Sequence, residues 1–340
     1  MKVLVQFEPN NLDYFDGTRM RKTIKGGLEL MDVQHTSTIM DTYDIAHFIS
    51  PDDEAKIHYA LETRTPIVVS ALYTEDDENA RFLEHKIRAD GKRKTYLKPK
   101  ALKMLNNANV VLVPTESSRD MLINFGVTTE IKVCPLGVNL ARFNFSRIDE
   151  KEIFLRYFGE NGNRKIVLAM SSLTTKKEGI NTFINAATAN PETNFYYIGS
   201  CEDSRLKKSL RRYIKNAPKN AHFIGALTDD LHRSALLNAD LVLFPGYTPT
   251  GITSVYEAMA AKCQLVAREE TVPNDLFING ENCYIGKFSE TLVSLVSDYL
   301  SGKMQPTIEN AFNEVSKCTL EKFGRNLVKI YKEQLSLKRK

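Results

Sequence analysis

The 340-residue chain has no tryptophan, only five cysteines and no long apolar run, and the last two shortages each exclude classes of protein. The cysteines (Cys134, Cys201, Cys263, Cys283 and Cys318) are odd in number and scattered, with no CxxC and no Cys/His pair at metal-ligand spacing. This supports neither a disulfide framework nor a zinc site, and reads as free thiols in a reducing compartment. None of the six histidines lies three or four residues from another, so no metal is expected. Apolar runs are short, residues 110–113 and 241–244 among them, and the N-terminal one stops at Glu8-Pro9-Asn10. Neither a spanning helix nor a cleavable signal is expected, so any membrane contact is peripheral. Excess charge is also small: 46 Lys and Arg against 42 Asp and Glu leave +4, too little to call for nucleic acid. A Walker A loop and a GxSxG elbow are absent.

What is present is ordinary globular composition, 42% hydrophobic and 26% charged, which excludes disorder and low-complexity scaffolds. The length exceeds what one core usually serves, so two domains of about 150–180 residues are expected. Short β-branched runs at 3–7, 45–49, 66–71, 110–113 and 131–133 alternate with helical patterns at 19–31, 52–63 and 117–124. Residues 135–147 lack an apolar period and read as a linker. The alternation then restarts, with strands at 166–170, 195–198, 222–224, 241–244 and 264–267. Helical patterns fall at 150–158, 179–189, 203–215, 231–238, 254–261, 290–300 and 320–335. The expected fold is α/β, two doubly wound domains spanning 1–145 and 146–318, with a final helix at 319–340 packing back on the first. In such sheets ligands sit at the carboxyl ends of the strands, which directs attention to the cleft between two such domains.

The most specific stretch runs from Leu241 to Lys262: a buried strand, a loop with Pro245, Gly246 and Gly251, and a helix starting near Thr253. Amides at Gly251, Ile252, Thr253 and Ser254, aided by the helix macrodipole, make an anion site. Glu257 lies one turn further on, where a carboxylate accepts hydrogen bonds from vicinal hydroxyls such as those of a ribose. An ordinary capped helix with an acid in its first turn has the same pattern.

Phe244-Pro245, Gly251-Ile252, Glu257-Ala258-Met259-Ala260, Gln264-Leu265-Val266-Ala267 and Asn279-Gly280-Glu281-Asn282 together resemble the C-terminal signature of family 4 retaining glycosyltransferases. These are GT-B enzymes with two facing Rossmann-like domains, and within them the chain is similar to Gram-positive glycolipid (hexosyl-diacylglycerol) synthases. Supporting pieces are a Gly17-Thr18-Arg19 loop after the first strand, Tyr43-Asp44-Ile45-Ala46-His47, Val113-Pro114-Thr115-Glu116-Ser117-Ser118, Pro135-Leu136-Gly137-Val138-Asn139 and Lys177-Glu178-Gly179-Ile180.

The resemblance implies transfer of a hexose from a nucleotide sugar, UDP-linked, to a lipid or glycan acceptor with retention, and no cofactor. The absence of any Asp-x-Asp triplet agrees with a metal-free reaction. It implies a donor site of Gly17, Thr18, Arg19, Lys176, Lys177, Gly251, Ile252, Thr253, Ser254 and Glu257, with Glu257 as the ribose-binding member of the family's glutamate pair. Three positions depart from the pattern: Pro249 stands where the first glutamate falls, Glu178 replaces the lysine of the diphosphate clamp, and residues 72–77 contain no histidine. Two other readings therefore stand beside the transferase. One is a catalytically degenerate GT-B protein binding a partner transferase or a glycan; the other is a GT-B nucleotide-sugar epimerase.

Residues 86–103 carry Lys86, Arg88, Lys92, Arg93, Lys94, Lys98, Lys100 and Lys103 against Asp90, interleaved with Ile87, Tyr96, Leu97 and Leu102. A solvated charged face is the plain account. An interfacial surface for anionic lipid is the functional one, through Lys86, Arg88, Lys92, Arg93, Lys94 and Lys98, each cation contributing about 1 kcal/mol. The resemblance implies membrane attachment in this region, hence a cytoplasmic protein peripheral to the inner face of the cell membrane.

Overall fold

A computed structural model describes residues 1–7, 15–51, 53–71, 83–91, 93–143, 148–170, 177–199, 208–246, 252–269 and 276–338. The chain divides into two units, Met1–Val138 with Cys318–Lys340, and Asn139–Lys317.

The first unit is built on β1 (Lys2–Gln6), α1 (Phe15–Glu29), β2 (Gln34–Thr36), β3 (Ile45–Phe48), α2 (Glu54–Glu62), β4 (Ile67–Ser70), β5 (Leu83–Ile87), β6 (Arg93–Leu97), α3 (Pro99–Asn106), β7 (Val110–Val113), α4 (Glu116–Asn124) and β8 (Ile131–Val133). Six strands form one parallel sheet in the order β2-β1-β3-β4-β7-β8. Strands β3, β4 and β7 are buried along their whole length, which is why they read as apolar runs rather than alternations. Helix boundaries follow their caps. Asp53 accepts the Lys56 N–H, so α2 starts at Glu54 and not at residue 52. Thr115 accepts the Ser118 N–H, and Gly126 (φ +90°) ends α4.

One expectation changes here. Gly17-Thr18-Arg19 is not a loop but part of the first turns of α1. Met20, Ile24 and Leu28 are buried at a four-residue spacing as the apolar stripe of this helix, which starts four residues earlier than expected. The basic segment begins as an antiparallel hairpin, β5 against β6, turning at Asp90-Gly91 with Gly91 at φ +75°.

The second unit contains a 3-10 turn (Leu140–Phe143), α5 (Ile148–Phe158), β9 (Ile166–Met170), α6 (Lys177–Ala189), β10 (Asn194–Ile198), α7 (Lys208–Lys215), β11 (Ala221–Gly225), α8 (Asp229–Asn238), β12 (Leu241–Phe244), α9 (Ile252–Ala260), β13 (Gln264–Arg268), β14 (Tyr284–Gly286), α10 (Ser289–Leu300) and α11 (Ile308–Ser316). Its parallel sheet runs β11-β10-β9-β12-β13-β14. Strand order reverses between β9 and β12. In doubly wound sheets that reversal opens a crevice beyond the carboxyl ends of the two strands.

The last helix, α12 (Leu320–Lys338), belongs to the first unit. It lies against α1 at glycine-to-glycine distance: a Cβ on Gly324 would stand 2.3 Å from the Gly27 carbonyl oxygen. Residues 135–138 are not a free linker. Leu136 and Val138 are buried, and Val138 exchanges backbone hydrogen bonds with Cys318 and Leu320 (2.8 and 3.1 Å). The buried side of α12 presents Phe323, Leu327, Ile330, Tyr331 and Gln334. There Tyr331 Oη lies 2.6 Å from His47 Nδ1 while Ser70 Oγ lies 2.7 Å from His47 Nε2.

Candidate functional site

In the second unit the chain leaves β12 at Phe244, passes Pro245 and Gly246, and α9 begins at Ile252. All nine residues of α9 are buried, an apolar helix on every side apart from Thr253, Ser254 and Glu257. The amides of its first turn lack intrahelical acceptors, and the helix macrodipole adds partial positive charge there. Helix α6 follows β9, the other strand at the reversal, and its first turn closes on the end of β12. A Cβ on Gly179 would meet Gly246 Cα at 3.3 Å and the Pro245 carbonyl oxygen at 3.4 Å, so any larger residue would press the two segments apart.

Glu257 is a carboxylate only 6% exposed, which is tolerated only where compensating charge or hydrogen bonds surround it. Arg142 Nη1 lies 3.9 Å from its Oε1 and His232 Nδ1 lies 3.8 Å from its Oε2. Both separations exceed hydrogen-bond length, so the attraction is electrostatic, and the imidazole contributes charge only when protonated. Arg142 is anchored on α8, whose Asp229 accepts through Oδ1 at 2.8 Å and through its backbone oxygen at 3.2 Å. His232, one turn along α8, turns its Nε2 to Met170 Sδ at 3.4 Å, at the carboxyl end of β9. The result is a buried acceptor beside two helix amino termini at the strand-order reversal, suited to a ligand with vicinal hydroxyls and negative charge.

Of the residues expected at the donor site, Ile252, Thr253, Ser254 and Glu257 share α9 at this position. Lys177 opens α6, with only its backbone described; Lys176, Gly251 and Pro249 lie outside the described residues. Gly17, Thr18 and Arg19 belong to the other unit, where Arg19 is 7% exposed. Arg142, Asp229 and His232 were not anticipated. The only advance signal was their residue type, because 115 residues separate Arg142 from Glu257 (257 − 142). Among the described residues, no group of three or more His, Cys, Asp or Glu is placed to hold a metal ion.

In the first unit, Lys86 pairs directly opposite Lys94 across the hairpin. Like charges in that register are unfavourable, and Tyr96 relieves them, with the two ammonium groups 5.8 and 5.1 Å from its ring centroid. Leu83, Thr95 and Leu97 are buried, whereas Ile87 beside the turn is 81% exposed. Lys86, Arg88, Lys94 and Lys98 are exposed, with Lys86 3.4 Å from Glu84 and Arg88 3.7 Å from Asp90. Lys92 and the Arg93 side chain lie outside the description. Among the described residues no helix is long and apolar enough to cross a membrane.

The chain is similar to Anabaena HepE in complex with UDP and glucose, at a TM-score of 0.76 and 15% identity, covering 98% of this chain and 100% of that one. The fold is that of the GT-B glycosyltransferases. Residues 150–314, nearly all of the second unit, match the family "Glycosyl transferases group 1". Its relatives include the "Processive diacylglycerol alpha-glucosyltransferase" of Acholeplasma laidlawii, 26% identical over 321 residues, 93% of this chain and 92% of that protein. They also include the "Alpha-galactosylglucosyldiacylglycerol synthase" of Streptococcus pneumoniae, 26% identical over 114 residues, 33% and 30% of the two chains.

Proposed function

We propose that the chain transfers a hexose from a UDP-linked sugar to a lipid acceptor with retention of configuration, working at the cytoplasmic face of a membrane. The observation that carries this is buried Glu257, flanked by Arg142 and His232 beside the amino-terminal turns of α6 and α9. Glu257 accepts hydrogen bonds from the ribose hydroxyls, and Arg142 and His232 hold its carboxylate in place. Amides at the start of α9 receive the diphosphate. As the glycosidic bond breaks, negative charge grows on that diphosphate, and preset amides and helix dipoles stabilise it most at the transition state. The sugar passes through an oxocarbenium-like state and is captured by the acceptor hydroxyl on the face the nucleotide leaves, the hydroxyl proton passing to the departing diphosphate. The UDP of HepE and the diacylglycerol of the Acholeplasma relative support the donor and acceptor classes. The cationic hairpin, with Ile87 at its turn, supplies the contact with anionic lipid.

Glu257→Ala removes a charge-assisted pair of hydrogen bonds, so UDP binding weakens by about 1.5–3 kcal/mol, measured by calorimetry. Unchanged affinity in that variant refutes the assignment. Pro249 and Glu178 favour a second reading, a degenerate protein that keeps the nucleotide site without turnover. A donor-hydrolysis and transfer assay across several nucleotide sugars separates the two: UDP binding with no turnover of any donor selects the degenerate protein.

A further inference from the structure

Arg268 ends β13 with its side chain 0% exposed. From there it donates to four acceptors on three segments of the second unit. Nε reaches the Pro245 carbonyl at 3.0 Å, where the chain leaves β12, and Nη1 reaches the Lys287 carbonyl at 2.8 Å. Nη2 reaches Thr182 Oγ1 on α6 at 2.9 Å and Ser289 Oγ at the start of α10 at 3.1 Å. Thr182 Oγ1 in turn donates to Ser289 Oγ at 2.7 Å. A buried cation is costly and is kept only where its donors are well used. The planar guanidinium, with five N–H groups in a fixed fork, can hold several acceptors on different segments at once; an ammonium cannot hold them in that geometry.

Two of those segments border the candidate site. Pro245 leads from β12 toward α9, and Thr182 lies in the second turn of α6, whose first turn meets Gly246 at Gly179. Since even a Cβ on Gly179 would crowd Gly246 and Pro245, a shift of Pro245 toward α6 bears on the amino terminus of that helix. We propose that Arg268 is a positioning residue of the donor site, tying the exit of β12 to α6 so that the phosphate-facing amides of α6 and α9 are preset before the nucleotide arrives. This rests on the reading of the second unit as a nucleotide-sugar site, with UDP as the probe.

The test uses the full chain with Arg268→Met, Arg268→Lys, Thr182→Val and Thr182→Ser. In the ligand-free protein, amide exchange accelerates at the end of β12 and the starts of α6 and α9 in the first three variants, while β10 keeps its protection. UDP dissociation constants rise roughly 10- to 100-fold for both Arg268 variants, as expected when charge-assisted hydrogen bonds from the amides to the diphosphate are weakened. Thr182→Val raises the constant less, and Thr182→Ser, which keeps the hydroxyl, recovers the loss. Unchanged exchange in folded Arg268→Met and Thr182→Val overturns the proposal. So does full recovery of UDP binding by Arg268→Lys, since charge alone would then suffice. If Arg268→Met does not fold, the volume-matched Thr182→Val against Thr182→Ser comparison decides. A wild-type protein that binds no UDP refutes the donor reading, and the exchange pattern still decides whether Arg268 braces these segments.

Discussion

His47 joins α12 to the sheet of the first unit, and acid is the perturbation that tests the joint. Its ring is fully buried between Tyr331 Oη at 2.6 Å and Ser70 Oγ at 2.7 Å. Burial lowers its pKa from the ordinary 6.5 to about 3, because the charged imidazolium loses its hydration there. The neighbouring titratable groups stay neutral throughout the acid range: burial pushes Tyr331 well above 10 and the Cys134 thiol up to about 12. The folded pKa lies below the unfolded one, so the unfolded chain binds the proton first. The stability associated with neutral His47 is therefore complete above pH 6.5 and declines as pH falls from 6.5 toward 3, by about 1.4 kcal/mol per pH unit. Between pH 6.5 and 4 this amounts to roughly 3 kcal/mol, a large share of a typical 5–15 kcal/mol domain stability. The assay is urea unfolding of wild type and His47→Gln from pH 7.5 to 4, followed by amide exchange in β3, β4 and α12. Carboxylates titrate alike in both proteins and cancel in the difference. At neutral pH the wild type is expected to be the more stable, and that advantage should shrink by roughly 3 kcal/mol by pH 4. Parallel pH profiles would refute the argument, since His47 would then not be held neutral.

Gly324→Ala drives a methyl group into the Gly27 carbonyl, a backbone atom that cannot rotate away, and should cost about 1–3 kcal/mol in chemical denaturation with exchange rising first in α12. The hairpin predicts salt-sensitive sedimentation with anionic vesicles, because charge attraction is screened beyond a Debye length of about 8 Å at physiological ionic strength; equal binding to neutral vesicles would exclude an electrostatic mechanism. For an active transferase, Lys177→Ala should abolish turnover, while Glu178→Lys should preserve or raise it by placing a cation where the diphosphate is expected; loss of activity in Glu178→Lys would remove the argument from charge complementarity.

Local pattern was enough to reveal the alternation of strands and helices. A fully buried parallel strand such as β7 or β12 must be apolar along its length, and a helix must begin at a cap such as Thr115 and stop at a glycine such as Gly126. The stretch from Phe244 to Ala260 was legible for the same reason: strand, turn residues and helix are consecutive, so Glu257 could be placed one turn into α9 from sequence alone. The hairpin was hidden because its strands, Leu83–Ile87 and Arg93–Leu97, are rich in charged and polar residues and lack an apolar run, although Asp90-Gly91 marks the turn chemically. What no window of sequence contains is a contact between distant elements. His47 meets Tyr331 across 284 positions, Arg142 and His232 converge on Glu257 from a 3-10 turn and a separate helix, and Arg268 links β12, α6 and α10. The sequence by itself determined the two α/β units and the glutamate at the helix start, because periodicity and capping are local. Only the tertiary structure decided which charges surround that glutamate and which arginine holds the segments beside it, because strand order sets those neighbours, and strand order follows from the packing of the whole unit.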